Sequence, residues 1–201
     1  MVAGLLNICG LYLGNNLLGK MPSNKKGHFE DRHFLQINDD LLKANGGSWD
    51  KPPEEVLFPN PAFTKRMATF IDRWPKTKVV GWKDPRACLT IHLWGALMNK
   101  DDLKVVYVGR PADEVAASLA ARNNFEPGRS HALIGVYAGR FLRNIKAAGC
   151  QWITTGYSAF FGRPFKELRQ ITDFLGLRLP GDHTQIRNFI DPNLRHHKEL
   201  R

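Results

Sequence analysis

Apolar positions along the chain follow one rhythm in the first third and another in the rest. Val2 to Leu13 is an almost continuous apolar stretch, read as a buried helix over residues 2–13 that stops at Gly14-Asn15-Asn16. Phe29, Phe34, Ile37, Leu41 and Leu42 recur at roughly helical spacing and predict a second helix, ended by Asn45-Gly46-Gly47-Ser48. The Pro-rich segment Pro52 to Pro61 reads as loop, and a helix over about 63–73 closes at Trp74-Pro75.

Beyond Pro75 the texture changes. Lys78-Val79-Val80-Gly81-Trp82 and Leu103-Lys104-Val105-Val106-Tyr107-Val108 are short β-branched or aromatic runs, and Gln151-Trp152-Ile153-Thr154-Thr155 is a weaker third. Each is followed by a helical stretch, over about 87–98, 112–123 and 164–175. Strands alternating with helices predict an α/β layer structure with a mostly parallel sheet, in one domain spanning 1–201. The last helix is the best delimited. Pro164 suits its first turn, Phe165, Leu168, Ile171 and Leu175 share a face, and Gly176 supplies a left-handed cap.

Charge adds a constraint. Lys and Arg number 29 against 19 Asp and Glu, a formal net charge of +10, which favours anionic partners without choosing among nucleotide, polyanion, nucleic acid and acidic membrane. No helix-turn-helix, zinc-finger or aromatic-rich RNA motif accompanies the charge, so nucleic acid is not the expected partner. No apolar run reaches the roughly 20 residues of a membrane span. Cys9, Cys88 and Cys150 are few, odd in number and unpaired in spacing, which argues against a disulfide framework and for a reducing, cytoplasmic setting. His196-His197, and Cys88 near His92, lack the further ligands that a metal site needs.

In an open parallel sheet, ligands bind beyond the carboxyl ends of the strands. Lys83-Asp84-Pro85-Arg86 follows the first predicted strand. Arg110-Pro111 follows the second and leads into a helix that carries Ser118; Gly156-Tyr157-Ser158 follows the third. Cations for phosphates and an aromatic for a base thus meet at one edge, as a nucleotide site requires. No GxxxxGK[ST] occurs, so the pattern is not that of a nucleotide kinase.

These residues also carry a family resemblance. Tyr107-Val108-Gly109-Arg110-Pro111-Ala112-Asp113-Glu114-Val115-Ala116-Ala117-Ser118 resembles the segment with which sulfotransferases hold the 3′-phosphate of 3′-phosphoadenosine 5′-phosphosulfate (PAPS). Gly27-His28-Phe29-Glu30-Asp31, Asn38-Asp39, Gly81-Trp82-Lys83-Asp84-Pro85-Arg86, Phe174-Leu175-Gly176-Leu177 and Ile190-Asp191-Pro192-Asn193-Leu194-Arg195-His196 resemble bacterial members, in the family's order.

The resemblance implies a P-loop-like three-layer α/β fold with a mostly parallel central sheet, and sulfuryl transfer from PAPS to a hydroxyl or amine of a small-molecule or glycan acceptor. Adenosine 3′,5′-bisphosphate (PAP) is the product, and no metal is implied. It assigns Arg110 and Ser118 to the 3′-phosphate and Lys83 to the transferring sulfuryl group. Glu30 becomes the candidate base, with ion pairing to Arg32 or helix capping as its alternatives. Tyr157 falls near the adenine, although Ser158-Ala159-Phe160 replaces the acidic residues usual after it. Arg86 and Arg195 are further donor-side candidates, and residues 20–62 are expected to cover the acceptor.

One departure stands out. Family members begin with a strand and a Gly- and Ser-rich loop whose backbone N–H groups cradle the 5′-phosphosulfate at the start of the first helix. This chain opens on Met1-Val2-Ala3-Gly4-Leu5-Leu6, which resembles the helix after that loop, and no such strand and loop follow. The expectation is a fold incomplete at its amino end, with impaired activity or none. The alternative is a non-catalytic nucleotide- or polyanion-binding remnant of the same fold.

Overall fold

The computed structural model describes residues 1–20 and 26–190. In chain order its elements are α1 (Val2–Ile8), α2 (Arg32–Ala44), α3 (Pro61–Asp72), α4 (Ala87–Gly95), β1 (Lys104–Gly109), α5 (Ala112–Asn123), α6 (Pro127–Ala148), β2 (Gln151–Gly156), α7 (Ala159–Gly162), α8 (Pro164–Leu175) and α9 (Thr184–Phe189). The fold is mixed α/β and mostly helical. Among the described residues β1 and β2 form one two-stranded parallel sheet, in register from Lys104 opposite Gln151 to Gly109 opposite Gly156.

Local chemistry sets the helix ends. Asp31 caps α2 by accepting hydrogen bonds from the His33 and Phe34 N–H groups at 2.9 and 3.0 Å. Such a cap contributes about 1 kcal/mol. Phe34, Ile37, Asn38, Leu41 and Leu42 then form the buried face of α2, at spacings of three and four residues. Asn60 caps α3, with Pro61 in its first turn. Gly176 ends α8 at φ +73°, the left-handed geometry its sequence context predicts.

Several elements differ from the expectation. The first helix is shorter than 2–13, because Gly10 turns the chain at φ +93° just past Ile8. Tyr12 then bridges Val80 in parallel, its N–H donating to Val79 O at 2.9 Å and its C=O accepting from Gly81 N at 3.0 Å. Among the described residues that single bridge is all the regular pairing that residues 78–82 make, so the segment expected as a strand has no ladder there. A further difference is α6, for which no helix was expected. Gly128, Gly135 and Gly139 lower its intrinsic propensity, but Leu133, Tyr137, Phe141, Ile145 and Ala148 pack along one side of it. A Cβ on Gly95 would lie 2.8 Å from that of Ala148, so α4 and α6 touch almost backbone to backbone.

The apolar interior is divided in two by the extended segments. One cluster gathers α2, α3, α4 and α6 around an aromatic group of Phe34, Phe70, Trp74, Trp82 and Trp94, with the Phe34 and Trp94 rings 4.8 Å apart. The other gathers α1, α7, α8 and α9 around Leu5, Phe160, Leu168, Ile171 and Ile186. β1 serves both by alternation: Val105 and Tyr107 join the aromatic cluster, Val106 the second. Residues 20–62, expected to cover an acceptor, include α2, which is part of the first cluster. The loop after it is tied down by Asn45, which exchanges two hydrogen bonds of 3.0 Å with the Leu57 backbone.

His92 on α4 donates from Nε2 to the Val56 carbonyl at 2.8 Å, while its Nδ1 is buried without a partner among the described residues. Burial lowers the imidazole pKa below 6.5, chiefly by disfavouring the charged form. The folded state therefore binds this proton less readily than the unfolded chain. Stability is expected to decline as pH falls from about 6.5 through the lower folded value. Urea unfolding at pH 7.5 and 5.5 checks this, with His92→Gln flattening the difference.

Candidate functional site

The backbone leaving residues 78–82 enters Lys83-Asp84-Pro85-Arg86, and a buried polar cluster fixes that turn. Asp84 is 7% exposed and accepts from Asn38 Nδ2 at 2.9 Å, Arg86 N–H at 3.0 Å and Arg86 Nη1 at 2.9 Å. Burial raises the Asp84 pKa, working against Arg86 and Asn38, which favour the carboxylate. Asn38, fully buried on α2, accepts at Oδ1 from Thr90 Oγ1 at 2.9 Å and from Trp94 Nε1 at 3.0 Å. One amide thus joins α2, the turn and α4.

The same turn holds Lys83 and Arg86 in different states. Arg86 Nε lies 2.6 Å from Asp39 Oδ1, and Asp84 takes another edge of the guanidinium. Two carboxylates on one mostly buried cation make Arg86 an internal tie. Lys83 is 42% exposed and pairs with the buried carboxylate of Glu30. The two residues expected to carry catalysis therefore meet, and Glu30 takes Lys83 rather than Arg32 as its partner.

At the carboxyl end of the sheet, Gly109 and Gly156 are in register, and Tyr157 N–H donates to Gly109 O at 2.8 Å. The Arg110 guanidinium therefore sits 4.9 Å from the centre of the Tyr157 ring, a cation–π contact. Arg110 Nε donates to Glu114 Oε2 at 2.8 Å, one turn into α5, while Asp113 pairs with His131.

Lys83, Glu30, Arg86, Arg110 and Ser118 all line one cavity of about 1500 Å³. Tyr157 meets this group through Arg110. Arg195 and His196 lie outside the described residues.

Two further residues of the lining were not among the candidates. His28 lines the cavity, and its Nε2 is buried without a hydrogen-bond partner among the described residues. Between His28 and Glu30, Phe29 takes φ +56°, uncommon for a residue with a side chain, and its ring packs on Phe189. That backbone turn leaves His28 and Glu30 both on the cavity. Arg122 lines it as well, one helical turn beyond Ser118. The four-residue spacing from Ser118 to Arg122 was the available signal.

The lining brings Lys83 and Arg110 together with the Ser118 hydroxyl and with tryptophan and tyrosine rings. No group of His, Cys, Asp and Glu among the described residues could hold a metal ion. None of the described helices is long and apolar enough to cross a membrane. No known protein family, curated protein or solved structure matches the chain.

Because Asn38 serves three buried groups at once, Asn38→Ala leaves Asp84, Thr90 and Trp94 each short of a partner. At about 1–3 kcal/mol per group, the expected loss of unfolding free energy is at least about 3 kcal/mol. Gln36→Ala, on the exposed side of the same helix, is expected to stay within about 0.5 kcal/mol. Parallel urea melts compare the two.

Proposed function

We propose that this chain has the fold and donor site of a PAPS-dependent sulfotransferase, with a three-layer P-loop-like architecture. The observation that carries the reading is the convergence of Lys83, Glu30, Arg110 and Ser118 on one cavity from three separate stretches of sequence. Arg110 and Ser118 bind the 3′-phosphate: the guanidinium brings charge and paired donors, the hydroxyl a directed hydrogen bond. The Tyr157 ring, held beneath Arg110, lies on the adenosine side. Arg86 is reassigned from donor contact to support of the Lys83 turn, since Asp39 and Asp84 already satisfy its charge.

In the reaction proposed, an acceptor hydroxyl or amine bonds to sulfur while the bond from sulfur to the 5′-phosphate oxygen breaks, releasing PAP. Lys83 stabilises the charge that develops on the sulfuryl oxygens. Glu30 accepts the acceptor's proton. Its pairing with Lys83 couples the two roles, since the same contact holds the carboxylate beside the group that faces the sulfuryl oxygens.

A second reading has its own support. A non-catalytic binder of nucleotides or polyanions rests on the same Arg110 and Ser118, which line the cavity beside Lys83 whether or not a group is transferred there.

Calorimetry with PAP tests the donor site. Arg110→Ala is expected to weaken binding by about 1.5–3 kcal/mol, the range of a charged hydrogen-bonding partner; unchanged affinity removes Arg110 from the site. A sulfuryl-transfer assay separates the two readings. If the chain turns over, Lys83→Ala is expected to lower the rate while leaving PAP affinity nearly intact. PAP binding without any transfer favours the non-catalytic reading.

A further inference from the structure

Three arginines line the cavity, and two of them are already neutralised. Arg86 faces Asp39 and Asp84, and Arg110 faces Glu114. Arg122 donates to the neutral Asn123 Oδ1 at 2.8 Å, and no carboxylate pairs with it among the described residues. An anion can therefore meet Arg122 without displacing a buried carboxylate, as it must at Arg110.

Helix geometry sets where this charge stands. Val115, Ser118, Leu119 and Arg122 recur at helical spacing and together form the α5 side of the cavity. At about 1.5 Å per residue, Arg122 lies about 15 Å beyond Ala112, where α5 begins. Arg110 and Arg122 thus stand near opposite ends of one helix. The Arg122 guanidinium lies 5.8 Å from the centre of the Trp49 ring, on the loop between α2 and α3 rather than at the strand ends.

Trp49 is firmly held there. Its carbonyl accepts from Tyr137 Oη on α6 at 2.8 Å. Asp50 accepts from Ser48 Oγ and from Arg129 Nη2, both at 2.7 Å. Asn124 closes α5 at φ +54°, which asparagine tolerates better than most residues, and brings Phe125 to the loop. The Phe125 ring lies nearly parallel to the indole, at 18° with centres 5.9 Å apart, and the Arg129 guanidinium lies 3.8 Å from the centre of Phe125. Arg129 thereby serves both the ion pair to the loop and the aromatic stack. An indole fixed in this way, and only half-buried, is a preorganised surface for a ring.

Its neighbours decide which kind of ring. Leu133 and Ile134 lie one turn before Tyr137 on α6, and Leu119 lies one turn before Arg122 on α5; all three line the cavity. The Tyr137 hydroxyl is committed to the Trp49 carbonyl. A sugar would bring several hydroxyls against these side chains and leave them without partners, which is costly. An aromatic ring meets indole and leucine alike, and a single charge on it needs a single partner. Arg122 is that partner.

We propose that Trp49 and Arg122 form a binding site for an aromatic carboxylate, the indole taking the ring and the guanidinium the carboxylate. That this molecule is the sulfuryl acceptor rests on the sulfotransferase reading. In that reaction a hydroxyl on the ring bonds to sulfur and its proton passes to Glu30. The bond from sulfur to the 5′-phosphate oxygen breaks, and its electron pair leaves with PAP. The acceptor carries its own negative charge, so Arg122 selects hydroxyaryl acids over neutral phenols.

The probe is 4-hydroxyphenylacetate, with 4-hydroxyphenylacetamide as its neutral counterpart and glucuronate as a carboxylate on a sugar ring. Binding to the whole chain is followed by the indole N–H resonance that Trp49→Phe removes. The acid is expected to bind about tenfold or more tightly than the amide, the scale of a charge-assisted hydrogen bond. Arg122→Gln, a change at an exposed position, is expected to cut that preference to about twofold or less. Glucuronate is expected to bind about tenfold or more weakly than the aryl acid. Equal binding of acid and amide overturns the proposal, and so does a preference that survives Arg122→Gln. Glucuronate binding as tightly as the aryl acid overturns it in favour of a glycan. Displacement of the probe by PAP, with Arg122→Gln weakening PAP as much as Arg110→Ala does, assigns Arg122 to the donor and also overturns it. Probe binding with the expected preference, but without sulfuryl transfer to it from PAPS, upholds the site and counts against the sulfotransferase reading alone.

Discussion

The buried contact between Asn38 and Asp84 is the constraint on which the site depends. A carboxylate 7% exposed is costly unless its lone pairs are filled, and here Asn38, the Arg86 backbone and the Arg86 guanidinium fill them. That requirement fixes the turn after residues 78–82 and so fixes Lys83 beside it. The opposite end of the Asn38 amide is committed to Thr90 and Trp94, so α2 and α4 keep one relation to the turn. Asp31, which caps α2, follows Glu30 directly, so the helix that presents Asn38 also sets where Glu30 stands. Positions 30, 38, 83 and 84 thereby form one mechanical unit although they are far apart in the chain.

β1 provides the second constraint. Its alternation divides the interior, and its register with β2 brings Arg110 beside Tyr157. Neither arrangement needs a contact made by the other residues of the site. The cavity therefore has two independently supported sides, the Lys83 turn and the Arg110–α5 corner. A ligand that spans them meets groups already held by the fold.

The parts of this architecture that were legible in the sequence are those with local causes. β1, β2, α5 and α8 coincide with their apolar runs and with their Pro, Asn or Gly punctuation. The strand-end positions of Lys83 and Arg110 follow from the same reasoning. What was hidden depended on distant partners. Residues 78–82 have strand composition, but a strand also needs a ladder, and one residue at Tyr12 does not make one. α6 was hidden for the opposite reason: its interior glycines argue against a helix, and only the packing of Tyr137, Phe141 and Ile145 overrides them. Gly10 and Gly14 both take φ +93°, so the choice between them as the end of α1 lay in the later pairing of Tyr12 with Val80. His28 was read only as part of a segment, because the left-handed turn at Phe29 is not encoded by residue type.

A net charge of +10 suggests an open cationic patch, but the cavity is not one. Lys83 faces Glu30, Arg110 faces Glu114, and Arg86 faces both Asp39 and Asp84. Each of these three cations is at least balanced within the protein, so the attraction they offer a ligand depends on which pair can open. Arg86 is the least able, since releasing it would strand two carboxylates, one of them buried. Lys83 and Arg110 each release one, and their side chains are the more exposed, at 42% and 25% against 16% for Arg86. The ordering singles out Lys83 and Arg110 as the groups free to exchange a protein carboxylate for a ligand anion. For the proposed donor site, it makes recognition an exchange of partners, selective for a ligand that reaches both corners, rather than a general attraction of negative charge.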